Sequence, residues 1–152
     1  ITTKYFCIIN ADGSMDPNEL NNMLKTIKEN NDLVFGSRYL KNAGSEDDDL
    51  ITVVGNYIFS FLGKIFFNLK INDILYTYTL GHTELIKNLN LKFKDFKICV
   101  ELPIKAHRAN LKYEAVPSFE RKRIAGKKKV KPFLDGLQIL IGMSYLFFNK
   151  IS

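Results

Sequence analysis

The chain has 152 residues, of which 46% are hydrophobic and 25% charged, and this composition excludes a disordered polyelectrolyte and allows one domain with a sizeable core. The net charge of +6 is unevenly spread: the seven cations between Arg121 and Lys131 (Arg121, Lys122, Arg123, Lys127, Lys128, Lys129 and Lys131) account for more than the whole surplus. One basic segment therefore sets the electrostatics and points to an anionic partner. Cys7 and Cys99 sit in apolar runs without metal-ligand spacing and read as buried free thiols of a reducing compartment.

Tyr5 to Ile9 reads as a buried strand that stops at Asn10-Ala11-Asp12-Gly13. A helix start follows, with Asp16 as N-cap, Pro17 at the first helical position and Glu19 completing a capping box. Residues 17–29 are an amphipathic helix with Leu20, Met23, Leu24 and Ile27 inward. Asn30-Asn31-Asp32 breaks it. Leu33 to Phe35 is the next short strand, ending at Gly36-Ser37-Arg38-Tyr39. The simplest arrangement is β-α-β with parallel strands and a right-handed crossover, which brings Asn10, Asp12 and Arg38 to one edge of the sheet.

Residues 41–49 are a polar loop whose acids, Glu46 to Asp49, read as a solvated helix entry. A long helix follows over about 50–69. Its polar stripe at spacing four (Asn56, Ser60, Lys64, Asn68) argues against a membrane span and for a buried or membrane-surface helix. Beyond it come an irregular segment from Asn72-Asp73, a short helix near 83–89, and a helix over 95–109 with Phe96, Cys99, Val100, Pro103 and Ile104 inward. A strand over 111–116, the basic loop 118–131 and a helix over 132–149, with Phe133, Leu137, Leu140, Ile141 and Phe148 on its apolar side, complete the chain.

The chemistry-bearing residues follow from this layout. In open α/β sheets, ligands bind beyond the carboxyl ends of the strands. Asp12, in such a turn, is a candidate catalytic and metal-holding carboxylate, with Asn10 and Ser14 as further oxygen donors beside Gly13. Arg38 is placed for phosphate contact. Glu101, mid-helix among apolar residues, and Asp73 are candidates for a general base or for a structural acceptor. In Arg121 to Lys129, Gly126 separates two cationic clusters that can close over a diphosphate; the absence of interleaved aromatics argues against nucleic acid.

Taken in order, Asn10-Ala11-Asp12-Gly13, Gly36-Ser37-Arg38-Tyr39, Asn72-Asp73, Glu101-Leu102-Pro103, Val116-Pro117 and Arg121 through Lys129 resemble family 2 glycosyltransferases with the GT-A fold, in particular the branch of dolichyl-phosphate mannosyl- and glucosyltransferases. The resemblance implies an α/β, nucleotide-diphospho-sugar transferase-like three-layer fold, mainly parallel, without the family's N-terminal strands that bind the base. Residues 1–131 would be the later portion of the catalytic domain, and 132–152 an amphipathic helix open to membrane association. It further implies a nucleotide-sugar donor, a lipid-phosphate or glycan acceptor, and inversion. Asp12, Asn10 and Ser14 would hold Mg²⁺ or Mn²⁺. Arg38, Arg121, Arg123 and Lys127, with Asn10 and Gly13, would bind phosphate or substrate, and Glu101 or Asp73 would deprotonate a sugar hydroxyl. The expected setting is the cytoplasmic membrane face, in peripheral contact with lipid and open to homo-oligomer formation. Two departures stand out: Asn10 replaces the usual first Asp of the family's D-x-D, and the chain opens directly into a strand, so an upstream part is expected. The rival reading is a non-enzymatic basic module that binds nucleic acid or anionic lipid through 118–131.

Overall fold

The computed structural model describes residues 2–126 and 131–149. The first strand, β1 (Tyr5–Ile8), leads through the Asp12 turn and a short 3-10 turn (Pro17–Glu19) into α1 (Leu20–Lys28) and β2 (Leu33–Ser37). A two-residue strand β3 (Gly44–Ser45) precedes the long helix α2 (Leu50–Phe67). There follow β4 (Thr79–His82), α3 (Thr83–Asn88), α4 (Ile98–Arg108), β5 (Tyr113–Pro117), β6 (Phe119–Glu120) and α5 (Pro132–Phe148).

The main sheet has the order β1-β4-β2-β5. Strands β1, β2 and β5 share one direction, while β4 runs against both of its neighbours. The crossover through α1 therefore joins parallel strands that are not adjacent, because β4 is inserted between them. The expected direct β1–β2 pairing gives way to two antiparallel ladders. Alternate strand residues face opposite ways. Leu33 and Phe35 join Phe6 and residues of α2, α4 and α5 in one core, whereas Val34, Leu80 and Val116 meet Met23 and Ile27 of α1 in the other. Helices thus cover both faces, giving three layers.

Helix starts follow the sequence. Asp16 accepts from the Asn18 amide with Pro17 just inside, and Asp49 caps α2 by accepting from the Thr52 amide at 2.8 Å. The expected capping box does not form. Instead the Glu19 carboxylate reaches across to the Ser118 hydroxyl and the Phe119 amide, tying the start of α1 to β6.

Three packing expectations are corrected. In α5 the inward residues are Ile139, Gly142, Met143 and Leu146, while Phe133, Leu137, Leu140, Ile141 and Phe148 are exposed. This helix is apolar on every side, so periodicity alone does not distinguish its buried face. Phe96 lies ahead of α4 and is exposed. Cys7 is exposed as well, whereas Cys99 is buried.

Helix α2 packs by its polar stripe. The buried Asn56 and Ser60 side chains accept from the amides of Leu75 and Ile74, at 3.1 Å each, while Lys64 and Asn68 of the same stripe are exposed. Ile51, Val54, Ile58, Phe61 and Ile65 point outward. By length and composition α2 is the one described helix long and apolar enough to cross a membrane, but those two side chains fasten it to the segment that leads into β4.

Gly81 marks where β4 is squeezed. A β-carbon there would sit 2.3 Å from Leu33 Cδ2 and 2.6 Å from Phe6 Cε1. Gly81→Ala is expected to destabilise the domain by about 1–3 kcal/mol through overpacking, read as a lower midpoint in urea unfolding with an unchanged slope.

Candidate functional site

The carboxyl ends of β1 and β2 open onto a cleft of about 590 Å³. Its floor is apolar, with Ile8, Met15, Leu75, Tyr76 and Ile98; its wall is charged, with Arg38, Asp47, Asp48, Glu120 and Arg123, and Asn10 lies at the β1 end.

Asp12 adjoins this cleft. Its Oδ1 accepts from the Ser14 amide at 3.0 Å, closing a tight turn. Gly13 in that turn has φ +79°, and a β-carbon on it would lie 2.8 Å from Ile124 Cδ1. The close approach arises because the basic segment folds down onto the turn. Arg121 N donates to Ser14 O at 2.8 Å and Ile124 N to Asp12 O at 2.9 Å. Arg121 also pairs with Asp16. Arg123 Nη1 lies 3.8 Å from Asp12 Oδ2. The acidic turn and the arginines, more than a hundred residues apart, thus form one unit. Lys127, Lys128 and Lys129 fall outside the described residues.

Arg123 makes its shortest contacts elsewhere. Its Nε donates to Asp47 Oδ1 at 3.1 Å and its Nη2 to Asp47 Oδ2, a two-pronged pair. The hydrogen bond and charge of Asp47 hold the guanidinium pKa above its ordinary value, with burial opposing.

Arg38, expected at phosphate, is instead buried among three carboxylates. Its Nε and Nη2 donate to the two oxygens of Asp73, at 2.8 and 2.9 Å, and its backbone amide adds a third bond to that carboxylate. Nη1 donates to Asp48 and to Glu120, at 3.0 and 2.9 Å. The guanidinium also stacks 4.5 Å from the Tyr76 ring centre. Burial depresses the Arg38 pKa, but Asp73, Glu120 and Asp48 outweigh that and raise it. A guanidinium so occupied spends four of its five N–H donors on carboxylates, which runs against the phosphate-binding expectation for this residue.

The two candidate bases are also engaged. Asp73 gives both oxygens to Arg38. Glu101 is buried, accepts from the amides of Lys92 and Phe93 at 2.8 Å each and pairs with Lys105. It acts as a clasp for the loop ahead of α4 and is not among the residues lining the cleft. Both side chains therefore take the structural alternative that the sequence left open.

The oxygen donors near Asp12 are of two kinds. Asn10 Oδ1 accepts from the Thr77 hydroxyl at 3.4 Å. Ser14 Oγ is buried and has no hydrogen-bond partner among the described residues. Among these residues no group of three or more His, Cys, Asp or Glu side chains is arranged to hold a metal.

Sequence reasoning missed Asp47, Asp48 and Glu120. The polar loop 41–49 is stitched to the basic segment by the parallel pairing of β3 with β6, so Asp47 and Asp48 are partners of arginines, while Asp49 caps the helix entry. The run Glu46 to Asp49 facing an arginine-rich segment of opposite charge was the available signal.

Burial raises the Asp48 pKa above the usual carboxylate range; Arg38 pulls it back, and Glu120 pushes it up again. The folded state thus holds this proton more tightly than the unfolded chain, so the associated stability is present below about pH 4 and lost as pH rises through the folded pKa. Asp48→Asn is expected to cost under about 1 kcal/mol at pH 7 and to gain on the parent between about pH 4 and 7. Asp73→Asn, which breaks the two-pronged pair, should cost about 3–5 kcal/mol. Urea unfolding across that pH range checks both.

The model of Glycosyl transferase family 2 matches residues 1–89, more than half of the chain, a span that includes Asn10 to Ser14, Arg38 and Asp73 and ends after α3.

Proposed function

The chain belongs to glycosyl transferase family 2, and from this premise we propose that it takes part in transferring a sugar from a nucleotide-sugar donor to a lipid phosphate, in the manner of the dolichyl-phosphate branch and with inversion. The observation that carries the reading is the seating of Arg123 over the Asp12 turn, at the end of the sheet where α/β folds take ligands.

In this reading an acceptor oxygen attacks the anomeric carbon while its bond to the diphosphate breaks, and the electron pair leaves with the diphosphate. The cations that meet that developing charge are Arg123 and Arg121, with Lys127 of the same basic sequence segment as a further candidate. Asp12, with Ser14 Oγ and Asn10 Oδ1, would hold Mg²⁺ or Mn²⁺. One carboxylate beside neutral oxygens, one of them an orphaned buried hydroxyl, suits a hard cation that takes the rest of its shell from phosphate and water. Bound there, the ion would neutralise the departing diphosphate.

The preference for a lipid phosphate over a sugar hydroxyl rests on the engagement of the two candidate bases. Asp73 and Glu101 are both consumed in buried ion pairs, whereas a phosphate oxygen is already anionic and needs no deprotonation. The outward apolar faces of α2 and α5 suit the same acceptor. They flank a groove of about 290 Å³ lined by Leu62, Phe66, Met143 and Phe147, and faces of this kind rest on a bilayer surface. A cytoplasmic membrane face is the corresponding location.

Calorimetric titration with UDP- and GDP-sugars tests the donor half. Binding is expected to require Mn²⁺ and to weaken at least about a hundredfold in Asp12→Ala. Metal-indifferent binding of nucleic acid that falls steeply with salt would instead support the basic-module reading. Vesicle co-sedimentation tests the membrane half. Phe61 and Ile65 are 61% and 58% exposed, so Phe61→Glu and Ile65→Glu should each weaken binding about tenfold or more without lowering the unfolding midpoint.

A further inference from the structure

We propose that Asp47 is a specificity-determining residue of the cleft: its carboxylate occupies the fork of Arg123 that a phosphoryl group would take, so a ligand must displace it to bind. The proposal rests on the phosphate-binding reading above and adds to it a built-in competitor.

A planar guanidinium presents the same donor edge to a carboxylate and to a phosphoryl group. In this structure that edge, Nε and Nη2, holds Asp47, while Nη1 faces Asp12 at 3.8 Å. Asp47 is held there by its own strand and loop. The Gly44–Ser45 strand pairs with Phe119–Glu120. Glu46 N donates to Glu120 O at 2.8 Å, Asp47 N to Ser45 Oγ at 3.1 Å, and Lys122 N to Glu46 Oε2 at 3.2 Å. The carboxylate is thereby presented at high effective concentration and needs no large rearrangement to return.

The pair is nonetheless displaceable. Its side chains are 22% and 14% exposed, and both residues line the cleft. Water and salt reach it, so the pair can exchange with an anionic ligand. Arg38 provides the contrast: its carboxylate partners are buried with it and cannot be exchanged for a ligand.

Selectivity follows from charge. A ligand carboxylate or a monoanionic phosphodiester offers Arg123 what Asp47 already supplies, without the tether. A terminal phosphoryl dianion brings a second charge and more acceptor oxygens, and can win the exchange. Asp47 thus screens the cleft for pyrophosphate ends and phosphate monoesters, the chemistry shared by the departing nucleoside diphosphate and a lipid monophosphate.

The test uses the chain as it stands, without added metal, and two probes: inorganic pyrophosphate in solution and a polyprenyl monophosphate in detergent. Affinity is measured by calorimetry, and the Arg123 Nε resonance is followed by nitrogen-15 NMR. Asp47→Asn, and Asp47→Ser as a second variant should the amide keep the contact, are expected to bind at least one probe about tenfold tighter than the parent. The Arg123 resonance should shift on binding, and Arg123→Gln added to either variant should remove the gain. The probe that gains identifies the phosphoryl source. Unchanged affinity in both Asp47 variants, with weaker binding in Arg123→Gln, would overturn the competitor role and leave the phosphate reading standing. Binding indifferent to Arg123→Gln, or no binding of either probe by any variant, would overturn both.

Discussion

Arg38 leaves the end of β2 and enters a nearly dry site between Asp73, Asp48 and Glu120, which come from three separate stretches of chain. Burying a cation is costly unless it is paired and its donors are filled. Asp73 meets that need with two parallel bonds and accepts the Arg38 backbone amide as well. The consequence is geometric. The exit of β2, the acidic loop 41–49, the segment after α2 and strand β6 cannot take their places independently, because each brings one component of the same cluster. The charged wall of the cleft is therefore built before any ligand arrives.

That wall holds more carboxylates than guanidinium charge, and the excess falls on Asp48, which burial pushes toward its neutral form. An anionic ligand entering here meets like charge from the buried cluster and finds attraction at the rim, where the basic segment crosses the Asp12 turn. The distribution favours a phosphate group that stays near Arg123 while its apolar or sugar portion uses the floor of Ile8, Met15, Leu75 and Ile98. Helix α2 continues this logic on the outer surface. With Asn56 and Ser60 spent on fastening it inward, its apolar residues remain free to meet another apolar phase.

The sequence carried the local features well. The Asp16 cap with Pro17, the α1 stripe and the break at Asn30 are decided by neighbours within a turn or two, and all three appear in the structure, Asn30 with a positive φ of 72°. The insertion of β4 was less visible, because Gly81 and His82 read as punctuation; yet Tyr76, Tyr78 and Leu80 share one core at spacing two, a strand signature in plain sight. The site was legible in part. Its location at the strand ends followed from topology, and the Glu101–Lys105 pair at helical spacing could have been read as structural. Arg38 meeting Glu120, 82 positions away, has no local signature, because that contact is produced by the packing of distant elements.

The two arginines of the cleft show how burial divides one residue type into two roles. Arg38 and Arg123 both face aspartates across short distances, and both have raised pKa values for that reason. Arg38 is nearly shut from water, so removing Asp73, its two-pronged partner, leaves buried charge poorly compensated and the pair behaves as framework. Arg123 keeps contact with solvent, so water can stand in for either partner during an exchange. The difference does not lie in the side chains but in their exposure: Arg38 is buried, at 7% exposed, whereas the Arg123 side chain is 22% exposed. A fold that must bind and release a phosphate needs a guanidinium of the second kind, positioned by one of the first.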